Sequence, residues 1–250
     1  MRILVTFAVN AEFAPWRRLR EFAGKDDGPC KIRTARFGQN EIGVLLTGIG
    51  GKSGWLGTTK RIWDGEVDIC ISSGLAGALR EEYSPSDILV PRTVWAVARK
   101  KTIPCDSELL RAAVENGARE VGSFYSAEKV VTSAVEKRDL GRTADAVEME
   151  SGEVLYEAAE LGARVIAIRG ISDAAGENLP LDFNRVTSAS GEVSLTRVLR
   201  QVARKPAAVP ALIRFGQQSR MAAEKLCGFL DRYVQCLVQP KPGLEKEAAR

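Results

Sequence analysis

The 250-residue chain has no histidine. That excludes Ser-His-Asp hydrolysis, histidine-bound metal catalysis and imidazole acid–base work. Proton transfer near neutral pH then falls to Asp, Glu, Lys, Tyr or Cys. Cysteine is scarce and scattered: Cys30, Cys70, Cys105, Cys227 and Cys236 are odd in number and form no CxxC pair. Reduced thiols in a cytoplasmic protein are expected, with no structural zinc and no cofactor. No apolar run approaches the ~20 residues of a membrane span, and the chain opens on a strand-like segment, so no signal peptide is expected. Excess charge is small as well, at +4. This rules out an acidic tail and hints at anionic company. The basic residues are not interleaved with aromatics, so no nucleic-acid partner is expected.

What is present, 45% hydrophobic and 27% charged residues, is enough to bury the core of one α/β domain with or without an appendage. The most informative stretch is 145–178. It reads as an acidic turn, a helix opened by Glu148, Met149 and Glu150, and a buried strand over 165–171 broken by Arg169 and Gly170. Ser172 and Asp173 follow at the strand's end. Ligands of α/β sheets bind beyond the carboxyl ends of strands, and an aspartate there is poor filler but a useful acid. On a helix, Glu150 would share a face with Val154 and Ala158 and point inward.

Other strand ends carry candidates too. A first strand over 2–7 leads to Glu12 on a helix whose apolar face would be Phe13, Trp16, Leu19 and Ala23. A hairpin over 32–37 and 41–47 precedes Gly48-Ile49-Gly50-Gly51, which would open a helix of about 53–63. That turn resembles a phosphate cradle but has neither GxGxxG nor P-loop spacing. A buried strand over 67–73 runs into Gly74-Leu75-Ala76-Gly77, where small residues permit close approach to a ligand or a tight turn. Further strands are expected at 87–91, 93–98, 121–125 and 130–131, a helix at 106–116, and a short loop at 99–105. The C-terminal part reads as helices over 193–204 and 208–238. The second carries Leu212, Phe215, Met221, Leu226, Phe229, Tyr233 and Leu237 at helical spacing, as a face for the domain, a partner subunit, a lipid-like substrate or a membrane.

Glu12, Thr47-Gly48-Ile49-Gly50, Ser73-Gly74-Leu75-Ala76-Gly77 with Asp87-Ile88-Leu89-Val90, Val147-Glu148-Met149-Glu150 and Arg169-Gly170-Ile171-Ser172-Asp173 occur in this order over 1–185. In this the chain resembles the nucleoside phosphorylase/nucleosidase superfamily, particularly its methylthioadenosine/S-adenosylhomocysteine nucleosidases. The C-terminal part, from Ser190-Gly191-Glu192-Val193 to Ser219-Arg220, looks like the hopanoid-associated members, which are thought to remove adenine from adenosylhopane. The resemblance implies a three-layer α/β/α fold with a central twisted mixed sheet, plus C-terminal helices. It divides the chain into an α/β domain at 1–188, a helical extension at 189–238 and a tail at 239–250.

The resemblance also implies the chemistry. Asp173 would protonate the leaving adenine at N7, Glu12 would activate water behind C1′, and Glu150, with Met149 against the sugar, would hold the ribose hydroxyls. Ser172, Asp173, Val130, Val131 and Glu148 would surround the base, Val130 standing where nucleosidases have a stacking phenylalanine. Phe124 and Tyr125 are close by in sequence. Gly74, Leu75, Ala76, Gly77 and Ile49 would form the nucleophile pocket. Superfamily phosphorylases hold phosphate with an arginine two residues before the glycine matching Gly74. Here that position is Ser72, which favours water, unless Arg80 or Arg92 substitutes. Leu75 in place of a serine and the short 99–105 segment point to an open, apolar pocket and a bulky 5′-substituent. The expected partner is a small adenine nucleoside, and the expected assembly a homo-oligomer, preferably a dimer. A phosphate-dependent phosphorylase and a non-catalytic nucleoside-binding scaffold are the alternatives.

Overall fold

The computed structural model describes residues 1–24, 32–38, 40–50, 66–182, 184 and 206–239. Among the described residues nine strands form one mixed sheet: β1 Arg2–Phe7, β2 Ile32–Phe37, β3 Asn40–Leu46, β4 Ile69–Ala78, β5 Ile88–Ala96, β6 Lys101–Pro104, β7 Arg119–Ser126, β8 Ala146–Glu148 and β9 Arg164–Asp173. The described helices are α1 Asn10–Leu19, α2 Ser107–Glu115, α3 Ala134–Leu140, α4 Ser151–Glu160 and α5 Val209–Val238. The strand order is β2-β3-β1-β4-β8-β7-β5-β6. β9 pairs with β4 in parallel and with β5 in antiparallel fashion, so β4, β8, β7, β5 and β9 close into a ring.

Period-two alternation sorts the strand side chains into two cores. Ile3, Val5, Phe7, Ile69, Ile71, Ile166 and Ile168 face one side. There they meet Phe13 and Trp16 of α1, Leu109 of α2, and Leu226, Phe229 and Tyr233 of α5. Leu4, Cys70, Val165 and Ala167 face the other side and pack on Val154, Leu155 and Ala158 of α4. This is the three-layer α/β/α arrangement that two-faced sheets require. None of the described helices is long and apolar enough to cross a membrane.

Local departures from the sequence reading have identifiable causes. Residues 74–78 are not a turn: β4 runs on through them, carried by pairing with β9 and, at Gly77 and Ala78, with β8. The segments at 87–91 and 93–98 are one strand, and 99–105 holds strand β6, which folds back on β5, rather than a loop. Residues 130–131 are not strand; the Asn184 amide bonds both the N–H and the C=O of Val130 at 2.9 Å. Residues 146–148 are strand, paired with β4 and β7, so α4 starts at Ser151 and Glu150 is its N-cap. Glu150 is thus buried by β8 and the cavity wall, not by a helical stripe. Leu19 is 57% exposed at the last turn of α1, and Ala23 instead bridges to Thr34 of β2. On α5 Met221 is 60% exposed, while Ala222 and Ala223 beside it face the body. The helices expected over 53–63 and 193–204 lie outside the described residues.

Candidate active site

β1, β3, β4 and β9 are mutually parallel, so their carboxyl ends open on one side of the sheet. A cavity of about 220 Å³ lies there. Three carboxylates reach it: Glu12 from the first turn of α1, Glu150 from the N-cap of α4, and Asp173 from the end of β9.

Glu12 is held almost entirely by backbone. Its Oε1 accepts the Leu75 N–H at 3.0 Å, and its Oε2 accepts the N–H groups of Ala8 at 3.0 Å and Val9 at 3.4 Å. Burial pushes its carboxyl above the usual range, against the pull of the Leu75 N–H and the Arg169 guanidinium. Gly74 makes this approach possible. Its φ is +145°, and a Cβ there would stand 3.0 Å from Arg169 Nη1 and 3.1 Å from Glu12 Oε1.

Arg169 is fully buried and points from β9 into the space behind these carboxylates. Nη2 donates to Glu148 and to Ser151 Oγ at 3.0 Å, and lies 3.6 Å from Glu150 Oε2. Among the described residues its Nη1 and Nε make no hydrogen bond. Glu148 Oε2 also accepts the N–H groups of Glu150 at 2.9 Å and Ser151 at 2.7 Å. Burial opposes ionisation of Glu148, but the attraction of Arg169 prevails and holds its carboxyl low. Glu150 differs. Burial pushes it up to about 7; Arg169 pulls it down, while Glu148 and Glu12 push it further up. Its Oε1 accepts the Gly50 N–H at 3.0 Å.

Also in the cavity wall, Oδ1 of Asp173 lies 2.6 Å from Ser172 Oγ, and Oδ2 is ion-paired with Lys137. Gly77 is bare here for a reason: a Cβ would stand 3.0 Å from Asp173 Oδ2. Between the carboxylates the wall is apolar. Ile49, Leu75, Ala76, Met149, Val130 and Val131 line it.

A family model for the phosphorylase superfamily matches residues 2–204. The chain belongs to the phosphorylase superfamily. Solved structures share its fold. The 5′-methylthioadenosine/S-adenosylhomocysteine nucleosidase of Helicobacter pylori, with butyl-thio-DADMe-Immucillin-A, superposes with a TM-score of 0.70 at 21% identity, covering 94% of this chain and 97% of that one. The futalosine hydrolase of Helicobacter pylori gives 0.70 at 22% identity, over 94% and 97%. The nucleosidase from S. pneumoniae, with a transition-state inhibitor MT-ImmA, gives 0.71 at 17% identity, over 95% and 100%. At these identities the likeness is one of fold.

On this superfamily fold, most residues singled out from the sequence meet at one cavity: Glu12, Glu150, Asp173, Met149 and Ser172, with Ile49, Leu75, Ala76, Gly77, Val130 and Val131. Glu148 and Gly74 do not line it. Glu148 turns its carboxylate to Arg169 instead of a base, because alternation in β8 puts Val147 on the cavity wall and Glu148 on the other side. Gly74 acts from behind, through the space it leaves for Glu12. Phe124 is fully buried in the α4-side core, and neither it nor Tyr125 lines the cavity. Arg80 pairs with Asp145 and Arg92 with Glu120, both away from the cavity. Three participants were not foreseen. Arg169 breaks an apolar run and opens the motif that ends in Asp173 but carries no role of its own in the sequence, Lys137 lies in a charged segment, and Phe215 is one member of a helical stripe.

Proposed function

We propose that this protein cleaves the N-glycosidic bond of a 5′-substituted adenine nucleoside with water, releasing adenine. The observation that carries the reading is the convergence on one cavity of Glu12, from the start of the chain, with Glu150 and Asp173 from the 145–178 stretch. Departure of the base leaves an oxocarbenium-like ribose and needs a proton for the base, a nucleophile on the opposite face and a grip on the sugar. Asp173 gives its proton to N7 as the bond's electron pair moves to the base. A water oxygen bonds to C1′, and Glu12, raised by burial, takes the proton that water loses. Glu150 accepts from the ribose hydroxyls, with Met149 against the sugar. Acid and base on opposite faces parallel the division of labour in inverting glycosidases.

Water rather than phosphate is favoured by the charges. A phosphate dianion is usually held by arginine, yet among the described residues Arg169 is engaged by Glu148, and Arg80 and Arg92 are paired elsewhere, which leaves Lys129 as the other cation of the cavity wall. Ser72, at the position of the phosphorylase arginine, lies 3.1 Å from Ser151 Oγ and accepts from Arg169. The 5′ side is read from the apolar wall: Val9, Ile49, Met149 and Phe215 offer no polar partner for a charged amino-acid tail. A long apolar 5′-substituent, of which adenosylhopane is one candidate, fits this wall better than S-adenosylhomocysteine.

The test is adenine release from a panel of 5′-substituted adenosines, with and without phosphate. Release from a 5′-alkyl adenosine without phosphate is expected, and most of it should vanish in Asp173→Asn. Strict dependence on phosphate would make the protein a phosphorylase, and no release from any member would make it a scaffold. Efficient turnover of methylthioadenosine with a 5′-alkyl adenosine untouched would overturn the assignment of the 5′ side.

A further inference from the structure

A lysine without solvent exposure is uncommon, because an unpaired ammonium is strongly disfavoured away from water. Lys137 is one: its side chain is 0% exposed, while Glu136, Arg138 and Asp139 beside it on α3 face solvent. Its Nζ donates to Asp173 Oδ2 and, at 3.0 Å each, to the carbonyls of Ala174 and Glu177. An ammonium has three N–H donors. All three are committed, and none is left for a bound molecule. Whatever Lys137 does at the cavity, it does through Asp173.

We propose that Lys137 is a positioning residue for the reaction: it orients the Asp173 carboxyl and supplies the positive charge against which that carboxyl gives up its proton. The proposal rests on Asp173 being the leaving-group acid. Orientation follows from two contacts. Oδ2 is tied to Lys137 and Oδ1 lies 2.6 Å from Ser172 Oγ, so turning the carboxyl breaks both. Oδ2 also faces the bare backbone of Gly77, a residue of the cavity wall.

The charge acts during bond cleavage. The glycosidic electron pair moves onto the base, the proton passes from Asp173 to the base nitrogen, and a carboxylate remains. It forms beside an ammonium already in place, with nothing to reorganise, and preorganised charge of this kind stabilises transition states most effectively. The ammonium is itself fixed. The Ala134 N–H donates to Asn178 Oδ1 at 2.8 Å and the Leu179 N–H to Thr132 O at 2.9 Å, stitching the segment after β9 to the start of α3. Other ionisable groups around the pair are Lys129, Glu12 and Glu150 in the cavity wall, and Glu177, whose carboxylate accepts the Ala174 N–H at 3.1 Å and lies 3.5 Å from Arg214. Among the described residues Lys137 is the cation bonded to Asp173.

The test compares full-length Lys137→Met, Lys137→Arg and Asp173→Asn. Adenine release from 5′-methylthioadenosine and from a 5′-alkyl adenosine is read from acid to alkaline pH, with thermal unfolding midpoints alongside. In Lys137→Met, kcat should fall about 10²-fold with KM little changed. Lys137→Arg should restore part of the rate. A lysine that only supports the fold would lower the unfolding midpoint and leave kcat native at temperatures where the variant is folded. A folded Lys137→Met with native kcat, beside an inactive Asp173→Asn, overturns the proposal and leaves Asp173 as the acid. A fully active Asp173→Asn overturns the assignment of the acid itself. Should Lys137→Met fail to fold, Lys137→Arg decides: a lowered kcat with native KM and native unfolding midpoint supports the proposal, and a native kcat overturns it.

Discussion

Nη2 of Arg169 stands 3.6 Å from Oε2 of Glu150 while it also bonds Glu148, so one buried guanidinium serves two carboxylates of the same short motif. Glu148 accepts two backbone N–H groups besides and stays charged behind the cavity. Glu150 has the Gly50 N–H and an open side toward the cavity, and burial leaves its carboxyl near neutrality. The same cation holds one carboxyl closed and the other available.

That difference sets a pH dependence. Glu150 titrates at about 7 in the folded protein, above its ordinary 4.5, chiefly through burial, with Arg169 opposing and Glu148 and Glu12 assisting. A charged Glu150 is the better acceptor for ribose hydroxyls, so kcat/KM should rise with pH through a limb at about 7. Stability should run the other way. The native state binds this proton more tightly, so the contribution is fully present below 4.5 and is lost as pH rises through about 7. In Glu150→Gln the limb should disappear along with most activity, and the thermal midpoint should no longer fall across that window.

Arg169→Met should unfold at lower denaturant, with a loss of about 3–5 kcal/mol, because it leaves Glu148 charged and buried without its partner. Adding Glu148→Gln should recover part of that loss in chemical denaturation. An Arg169→Met protein as stable as the native one would show that the guanidinium does not balance this carboxylate.

Gly74→Ala places a methyl 3.0–3.2 Å from Arg169 Nη1 and the Glu12 carboxylate at a backbone φ of +145°. A stability cost of about 1–3 kcal/mol is expected from the backbone conformation. Displacement of Glu12 should also lower kcat by about tenfold or more, since small misplacements of a reacting group are costly. Steady-state kinetics and thermal melts on the same preparation separate the two effects.

Phe215→Ala should discriminate between substrates. Phe215 reaches the cavity from α5, and an apolar side chain of this size contributes about 1.5–3 kcal/mol when it covers an apolar group. KM for a long 5′-alkyl adenosine is therefore expected to rise about tenfold or more, with a smaller change for 5′-methylthioadenosine. Equal effects on the two would place the 5′ group away from this wall.

Much of this arrangement was legible in the sequence. Short buried apolar runs marked β1, β4 and β9, and their ends delivered Glu12, the Gly74–Gly77 segment and Ser172-Asp173 to one place. Where the reading went astray, tertiary pairing overrode local pattern. Small residues at 74–78 look like a turn until β9 and β8 claim them as strand. Glu148 sits beside Met149 and Glu150 in the motif, but the pleat turns it away from the cavity. Lys137 could not be found by pattern: flanked by Glu136, Arg138 and Asp139, it reads as one more solvated charge. Only its position under residues 174–177 shows otherwise.

The placement of α5 has a consequence for biosynthesis. Its Leu226, Phe229, Leu230, Tyr233 and Val234 cover the sheet face that β1, β4 and β9 present, its Asp231 takes the Trp16 indole N–H at 3.0 Å, and its Cys227 thiol donates to the Glu12 carbonyl at 3.2 Å. These are among the last described residues to leave the ribosome, and they seal a core whose first strand is among the earliest made. A nascent chain therefore carries Ile3, Val5, Phe7, Ile69 and Ile71 without the α5 part of their cover until residues 226–234 have emerged. Long-range closure of this kind folds slowly and invites aggregation. A nonsense or frameshift lesion between residues 206 and 225 would spare every proposed catalytic side chain and still remove Leu226, Phe229, Leu230, Tyr233 and Val234 from that face, so an aggregating product is expected.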